Sequence, residues 1–182
     1  MQDSSDRALV IKTRDGEVEA YGELVRRYQS SVFNVCYRLL GERREAEDLA
    51  QESFVRGYQR LETFDVERPF GPWIRRLAAN LCLNQLRRPG QDRLPLDEEH
   101  DELREGGLAD PETAEENRQS SERVRKALMT LPPRYRAVIE LRHFQDLTYQ
   151  EISSTLSLPL SDVRSHLFRA RKMLARRLRP DD

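Results

Sequence analysis

Apolar residues recur at intervals of three and four along most of this 182-residue chain, so the pattern predicts helices almost throughout. Ala8, Leu9 and Ile11 open a short helix that ends near Gly16. A longer one is expected from about Glu17 to Leu40. It has Leu24, Val25, Tyr28, Val32, Val35, Cys36 and Leu39 on one side and Gly41 as its stop. A third runs from about Arg44 to Leu61, aligning Ala46, Leu49, Ala50, Phe54, Tyr58 and Leu61. A loop over 62–71 leads into a fourth, with Pro72 in its first turn, Ile74, Leu77, Ala78 and Leu81 as its core face, and an end near Arg88. After Pro89-Gly90 the periodicity is lost until about Glu116. Helices return over 116–131 and 134–144, separated by Pro132-Pro133. Runs of β-branched residues and Asn-Gly or Asp-Gly turns are absent. The expected fold class is all-α.

The pattern is sharpest over 148–172 (TYQEISSTLSLPLSDVRSHLFRARK). Thr148 and Glu151 form a capping box, and Ile152 and Leu156 share one face of a short helix. Ser157 to Leu160 break it, and Pro159 prevents its continuation. Ser161 is expected to cap a second helix, with Asp162 at its positive end. Val163, Leu167, Ala170 and Leu174 make its apolar stripe, leaving Arg164, Ser165, His166, Arg169, Arg171 and Lys172 off it. This is the layout of a helix-turn-helix, whose second helix enters a DNA major groove. The early polar residues suit base edges and the later cations suit phosphates. An ordinary amphipathic helix with a solvated basic face fits the same pattern.

Charge divides the chain further. The net charge is −1, but residues 92–117 carry a net of −9, residues 118–182 a net of +7 and residues 1–91 a net of +1. Residues 91–116, with Pro95, Gly106-Gly107 and Pro111 and few apolar anchors, cannot bury enough surface to fold alone. They read as a flexible acidic linker between two small helical domains, 1–90 and 117–182. Within the first domain, residues 68–88 hold five arginines and no acid, next to an acidic segment at 45–52.

Several kinds of chemistry find no support. Cys36 and Cys82 form no Cys-x-x-Cys pair and sit among apolar residues, and His100, His143 and His166 lack zinc spacing. No metal site and no cofactor is expected. There is no phosphate-cradling glycine loop and no nucleophile-base pair, so the chain does not read as an enzyme. A nuclease would need a second group of acids facing Glu45, Glu47, Asp48 and Glu52. No apolar run is long enough to span a membrane, and the N-terminus is acidic, so the cytoplasm is the expected compartment.

Four segments carry a resemblance. They are 24–28 (LVRRY), 46–55 (AEDLAQESFV), 70–80 (FGPWIRRLAAN), and 131–142 (LPPRYRAVIELR) running on into the helix-turn-helix. In this order and spacing they resemble the extracytoplasmic-function sigma factors of the sigma-70 family, which join sigma domains two and four by a variable linker. The resemblance implies three interfaces. The 46–58 helix would dock on the beta-prime clamp of core RNA polymerase through Glu47, Asp48, Gln51, Glu52 and Val55, while domain four would meet the beta flap. The next segment would read the melted minus-ten strand of promoter DNA, through Phe64, Phe70, Arg75, Arg76, Asn80, Asn84 and Arg87, with the 61–71 loop taking a flipped base. Cations interleaved with aromatics suit a single strand. For Trp73, core packing is the better reading. The second helix of the helix-turn-helix would read the minus-thirty-five duplex through Ser161, Arg164, Ser165, His166, Arg169, Arg171 and Lys172. An anti-sigma partner is a further expectation from the family. The acidic linker would thread polymerase channels or act as a soluble tether.

The chain departs from the family pattern twice. Ser157 stands where glycine is frequent in the turn, and Ser161-Asp162 replaces a common Gly-Thr. A serine there would tolerate positive φ at some strain. Asp162 would cap the helix or accept from a cytosine amino group. The helix-turn-helix alone also fits a stand-alone DNA-binding regulator, but that reading leaves the acidic helix and the arginine-aromatic segment without a role.

Overall fold

The computed structural model describes residues 5–87 and 114–179, with side chains from 119 onward in the second stretch. Every regular element among the described residues is helical. The chain separates into two compact units, Met1–Gln85 and Leu86–Asp182. The expected linker lies outside the described residues, except that residues 114–116 already belong to a helix.

The first unit holds α1 (Asp6–Arg14), α2 (Val18–Leu40), α3 (Arg43–Gln59) and α4 (Phe70–Leu86), the last ending at its boundary. Ser5 caps α1, its hydroxyl accepting from the Ala8 N–H at 3.2 Å. Gly41 closes α2 in the left-handed region (φ 77°), its N–H returning to the Tyr37 carbonyl at 3.0 Å. The inner face of α3 is small: Ala46, Ala50, Ser53 and Gly57 are buried beside Phe54. Small residues let α3 lie close to its neighbours. A Cβ on Gly57 would sit 2.7 Å from Ile74 Cδ1 and 2.9 Å from the Tyr21 hydroxyl. That hydroxyl donates to the Phe54 carbonyl at 2.5 Å, and burial drives its pKa up. Leu24, Val32, Cys36, Leu39, Ile74 and Leu83 complete the core.

The fourth helix begins at Phe70, so Pro72 falls in its first turn as expected. Two inward expectations are corrected. Tyr58 is 44% exposed, because α3 ends one residue later and Leu61, in a 3-10 turn (Leu61–Thr63), supplies the buried side chain instead. Leu81 is half-buried rather than core.

The second unit contains α5 (Ala114–Met129), α6 (Pro133–Ile139), α7 (Tyr149–Leu156) and α8 (Leu160–Leu178). Pro133 takes the first position of α6, where its missing N–H costs nothing. The helix predicted to 144 is α-helical only to Ile139 and widens into a π turn, Glu140–Phe144. The Gln145 N–H reaches the Glu140 carbonyl at 3.0 Å, and the Gln145 side-chain amide donates to the Glu140 carboxylate at 3.1 Å. The extra residue in that turn leaves Glu140 and Leu141 both buried. The core gathers Leu131, Val138, Leu141, Ile152, Val163 and Leu167.

The capping box of α7 is present: the Glu151 N–H donates to the Thr148 hydroxyl at 3.2 Å, and the Thr148 N–H to the Glu151 carboxylate at 2.8 Å. Ser157 ends α7 at φ 54°, ψ 43°, the left-handed conformation in which a glycine is less strained. The expected cap of α8 is corrected. Pro159 occupies the N-cap position without a side-chain bond, and Ser161 and Asp162 lie inside the first turn. Pro159, with φ −56° and no helical N–H to offer, already marks the entry, so the helix begins two residues earlier than a serine cap would allow.

Candidate polymerase and nucleic-acid interfaces

The acidic surface follows from the helical period of α3. With Ala46, Ala50 and Phe54 turned inward, Glu47, Asp48, Gln51 and Val55 are exposed on the opposite side, and Glu52 is half-buried at its edge. Glu47 pairs with Arg43 at 2.9 Å and Glu52 with Arg56 at 2.6 Å. Such exposed pairs contribute a few tenths of a kcal/mol at most, about 0.3–0.5 for this spacing. Val55, 52% exposed, and Tyr58 add an apolar end to the strip.

Beside it runs a groove of about 420 Å³ between α2 and α3. Val25, Gln29, Phe33 and Asn34 supply its α2 wall, and Glu47 and Gln51 its α3 wall. Phe33 is held by Tyr37 (ring centroids 5.3 Å) and covered by the Arg43 guanidinium at 5.8 Å. The sequence pattern marks only the α3 side. The signal for the other was Phe33 itself, an aromatic lying off the apolar stripe of its helix.

The arginine-aromatic segment is built differently from the expectation. Phe64 is 6% exposed and Phe70 1%, whereas Trp73 is half-buried. Their rings form one cluster, with centroids 4.7 Å apart for Phe64–Trp73, 5.4 Å for Phe70–Trp73 and 5.9 Å for Phe64–Phe70. Tyr28 extends it to α2 at 5.5 Å. Phe64 and Phe70 are therefore corrected from stacking surfaces to core. Burying them is what lets the 61–69 loop fold back over the start of α4.

Helix α1 straps the same loop. The Arg14 guanidinium donates to the Leu61 carbonyl at 3.0 and 2.7 Å and also to the Phe64 carbonyl. Arg7 pairs with Glu67 at 2.7 Å in the open. At the other end of α1, Asp6 accepts from the Tyr28 hydroxyl and from Arg27 at 3.1 Å. Burial, then this carboxylate, pushes Tyr28 up to about 12. None of these long-range contacts leaves a periodic trace in the sequence.

Outside that core, Arg76, Asn80 and Asn84 recur every fourth residue and are exposed on α4, opposite buried Ala78, Cys82 and Leu83. Arg75 is half-buried, and Arg87 is exposed just past the helix end.

On α8, buried Val163, Leu167 and Ala170 hold the helix. Ser161, Arg164, Ser165, Arg169, Arg171 and Lys172 are exposed. His166 is not fully outward: it is half-buried, with its ring edge-on to Tyr135 at 5.4 Å. In its place the outer face carries Phe168, 67% exposed between the turns of Arg164 and Lys172. An exposed phenylalanine one position after a core leucine is readable from helical phase, yet the apolar pattern alone assigns it no role. His143, on the π turn, accepts from Arg171 Nε at 3.2 Å. Burial, then Arg171 and Arg142, lowers its pKa. Among the described residues no group of His, Cys, Asp or Glu is arranged to hold a metal, and no helix is long and apolar enough to cross a membrane.

Two family models match the chain. The sigma-70 region 2 family model matches residues 24–92, and the sigma-70 region 4 family model matches residues 121–174. Helix α1 precedes the first match. The chain is 32% identical over 179 residues to the ECF RNA polymerase sigma factor SigW of Bacillus subtilis, covering 93% of this chain and 95% of that protein. It is 34% identical over 184 residues to the ECF RNA polymerase sigma-E factor of Haemophilus influenzae, covering 97% and 96%. Among solved structures, CnrH in complex with the cytosolic domain of CnrY aligns with a TM-score of 0.58 at 23% identity, covering 95% and 96%. At that identity the likeness bears on the fold.

Proposed function

The chain belongs to the extracytoplasmic-function sigma factors of RNA polymerase, which direct promoter-specific transcription initiation, and we propose how its surfaces divide that work. The exposed face of α8 carries the reading. It sets Arg164 and Ser165 early and Arg169, Arg171 and Lys172 later, above a buried Val-Leu-Ala stripe. Arg164 forks onto a guanine edge of the minus-thirty-five duplex, Phe168 meets a thymine methyl, and the later cations neutralise phosphates. Ser161 contacts the backbone at the helix start, and His166 contributes through its seat on Tyr135.

The α3 strip docks on the beta-prime clamp of core polymerase through Glu47, Asp48, Gln51, Glu52 and Val55, and the α2–α3 groove receives part of the same surface. Its negative sign favours a basic protein and opposes DNA. The second unit also meets the beta flap. Melting falls to α4. Asn80 and Asn84 read base edges of the exposed minus-ten strand, and Arg75, Arg76 and Arg87 balance its phosphates. Unstacking a base costs on the order of a few kcal/mol. A pocket at the 61–71 loop offsets that cost, and Phe64 and Phe70 serve by holding the loop in shape. The chain itself forms and breaks no covalent bond. Free factor in the cytoplasm is held by an anti-sigma partner, as the family leads one to expect.

Run-off transcription with purified core polymerase tests the reading. Specific transcripts should require the chain and a cognate promoter together. Tight binding of a palindromic duplex by the chain alone, with no core-dependent transcript, would overturn it in favour of a stand-alone regulator.

A further inference from the structure

Asp162 is a carboxylate on a helix assigned to lie against a polyanion, and the one structural task its position offers is to complement the dipole in the first turn of α8. It is not a cap: Pro159 holds the N-cap position of α8, and the carboxylate bonds to no first-turn backbone N–H. Among the described residues its hydrogen-bond neighbour is the Ser161 hydroxyl, which donates to it at 3.4 Å. Among the described residues no lysine or arginine pairs with it, and the residues three and four positions on are Ser165 and His166. Like Ser161, Arg164 and Ser165, it is exposed, and it lies in the turn whose side chains reach base edges in a helix-turn-helix.

We infer that Asp162 is a base-specificity determinant whose carboxylate accepts a hydrogen bond from the N4 amino group of a cytosine in the upstream duplex. The inference rests on the reading of α8 as the minus-thirty-five reader. The chemistry of the groove selects the base. An ionised carboxylate only accepts. Guanine shows it two acceptors, and thymine an acceptor and a methyl group. Adenine offers an amino donor, but its N7 acceptor lies alongside and opposes the second carboxylate oxygen. Cytosine presents the amino donor alone. Arg164 complements it, since a guanidinium fork suits the guanine acceptors. A wrong base leaves Asp162 unpaired near phosphates, so the residue raises discrimination more than affinity.

The test uses the full chain with core polymerase on a promoter library randomised across the upstream element, with transcribed templates sequenced. The wild type should favour cytosine at one position by about tenfold. Asp162→Asn should move that preference to adenine, because an amide pairs with both N6 and N7. Asp162→Ala should flatten it. Unchanged base profiles in both variants would sink the inference. So would an equal gain on every template, which is plain relief of phosphate repulsion. A lowered melting temperature of Asp162→Ala with the wild-type profile intact would assign the residue to the helix dipole instead. Absence of any core-dependent transcript from the whole library would bring down the initiation-factor reading and this inference with it.

Discussion

On the proposed reading the two basic helices solve the same problem, presenting cations and a few readers to DNA, with opposite use of their aromatic residues. At α4 and the loop before it, Phe70 and Phe64 are inside, and the outward stripe of the helix is Arg76, Asn80 and Asn84. On α8 a phenylalanine is outside among arginines. A duplex groove is already formed, so a rigid helix needs only side chains that match it. An unpaired base needs a pocket, and on the same reading the aromatics of the α4 region shape the loop that would form it. The supports differ in reach as well. Arg14 holds the 61–64 turn across 47 and 50 residues of sequence, whereas the box that starts α7 spans three.

Exchanging the aromatics breaks the comparison most severely. Phe70→Ala should cost the first unit about 3–5 kcal/mol, by cavity formation in a cluster with no room to collapse. Phe168→Ala should change stability by no more than about 0.5 kcal/mol and lower binding to the upstream duplex. Urea denaturation of both variants measures the first, and transcription from promoters with and without thymine in the upstream element measures the second. A stable Phe70→Ala would mean that the cluster is not what holds the loop.

Arg14→Ala comes next. It strips donors from two carbonyls, a loss of about 1–3 kcal/mol if they stay out of water. Because those carbonyls belong to the loop proposed to form the base pocket, open-complex formation on duplex promoters should fall more than on pre-melted ones, with core binding kept. Equal defects on both templates would reduce α1 to a brace for folding. Arg164→Ala should cost about 1–3 kcal/mol of discrimination at one upstream base pair and leave core binding intact. A pull-down that lost the polymerase would contradict that placement.

The same contrast of reach explains what the sequence could tell. The Gly41 stop, the Thr148–Glu151 box and the turn at Ser157 all depend on neighbours a few residues apart, and each was legible. So was the inward stripe of α8. The fate of Phe64 and Phe70 was not. An aromatic beside arginines looks alike whether it stacks on a base or on Trp73, and only the path of the 61–69 loop decides. His166 shows the same limit on a smaller scale: helical phase sets it off the stripe, but Tyr135 from α6 draws its ring inward. The start of α8 failed for a local reason, because a serine with a following aspartate looks like a cap until Pro159 is seen to fill that place.

The smallest effect concerns His143, which sits behind Arg171, proposed to face a phosphate, and has no counterpart on α4. Its imidazole accepts from Arg171 Nε, so the folded state favours the neutral ring, and burial with Arg171 and Arg142 holds its pKa below the ordinary 6.5. In the unfolded chain the ring takes up its proton near that ordinary value. Between the two, the unfolded state binds more protons, so stability contributed at higher pH is lost as pH falls below 6.5 toward the folded value, and nothing changes above it. The residue is largely exposed, so solvent screening keeps the effect small. His143→Gln offers Arg171 an acceptor that does not titrate. Thermal melts of both proteins from about pH 5 to about pH 7.5 should then show a gap that opens only on the acid side, with the variant the more stable there. A gap of constant size would mean that the histidine supports Arg171 by shape alone. In that case the upstream reader, like the pocket loop, would be set by packing rather than by charge.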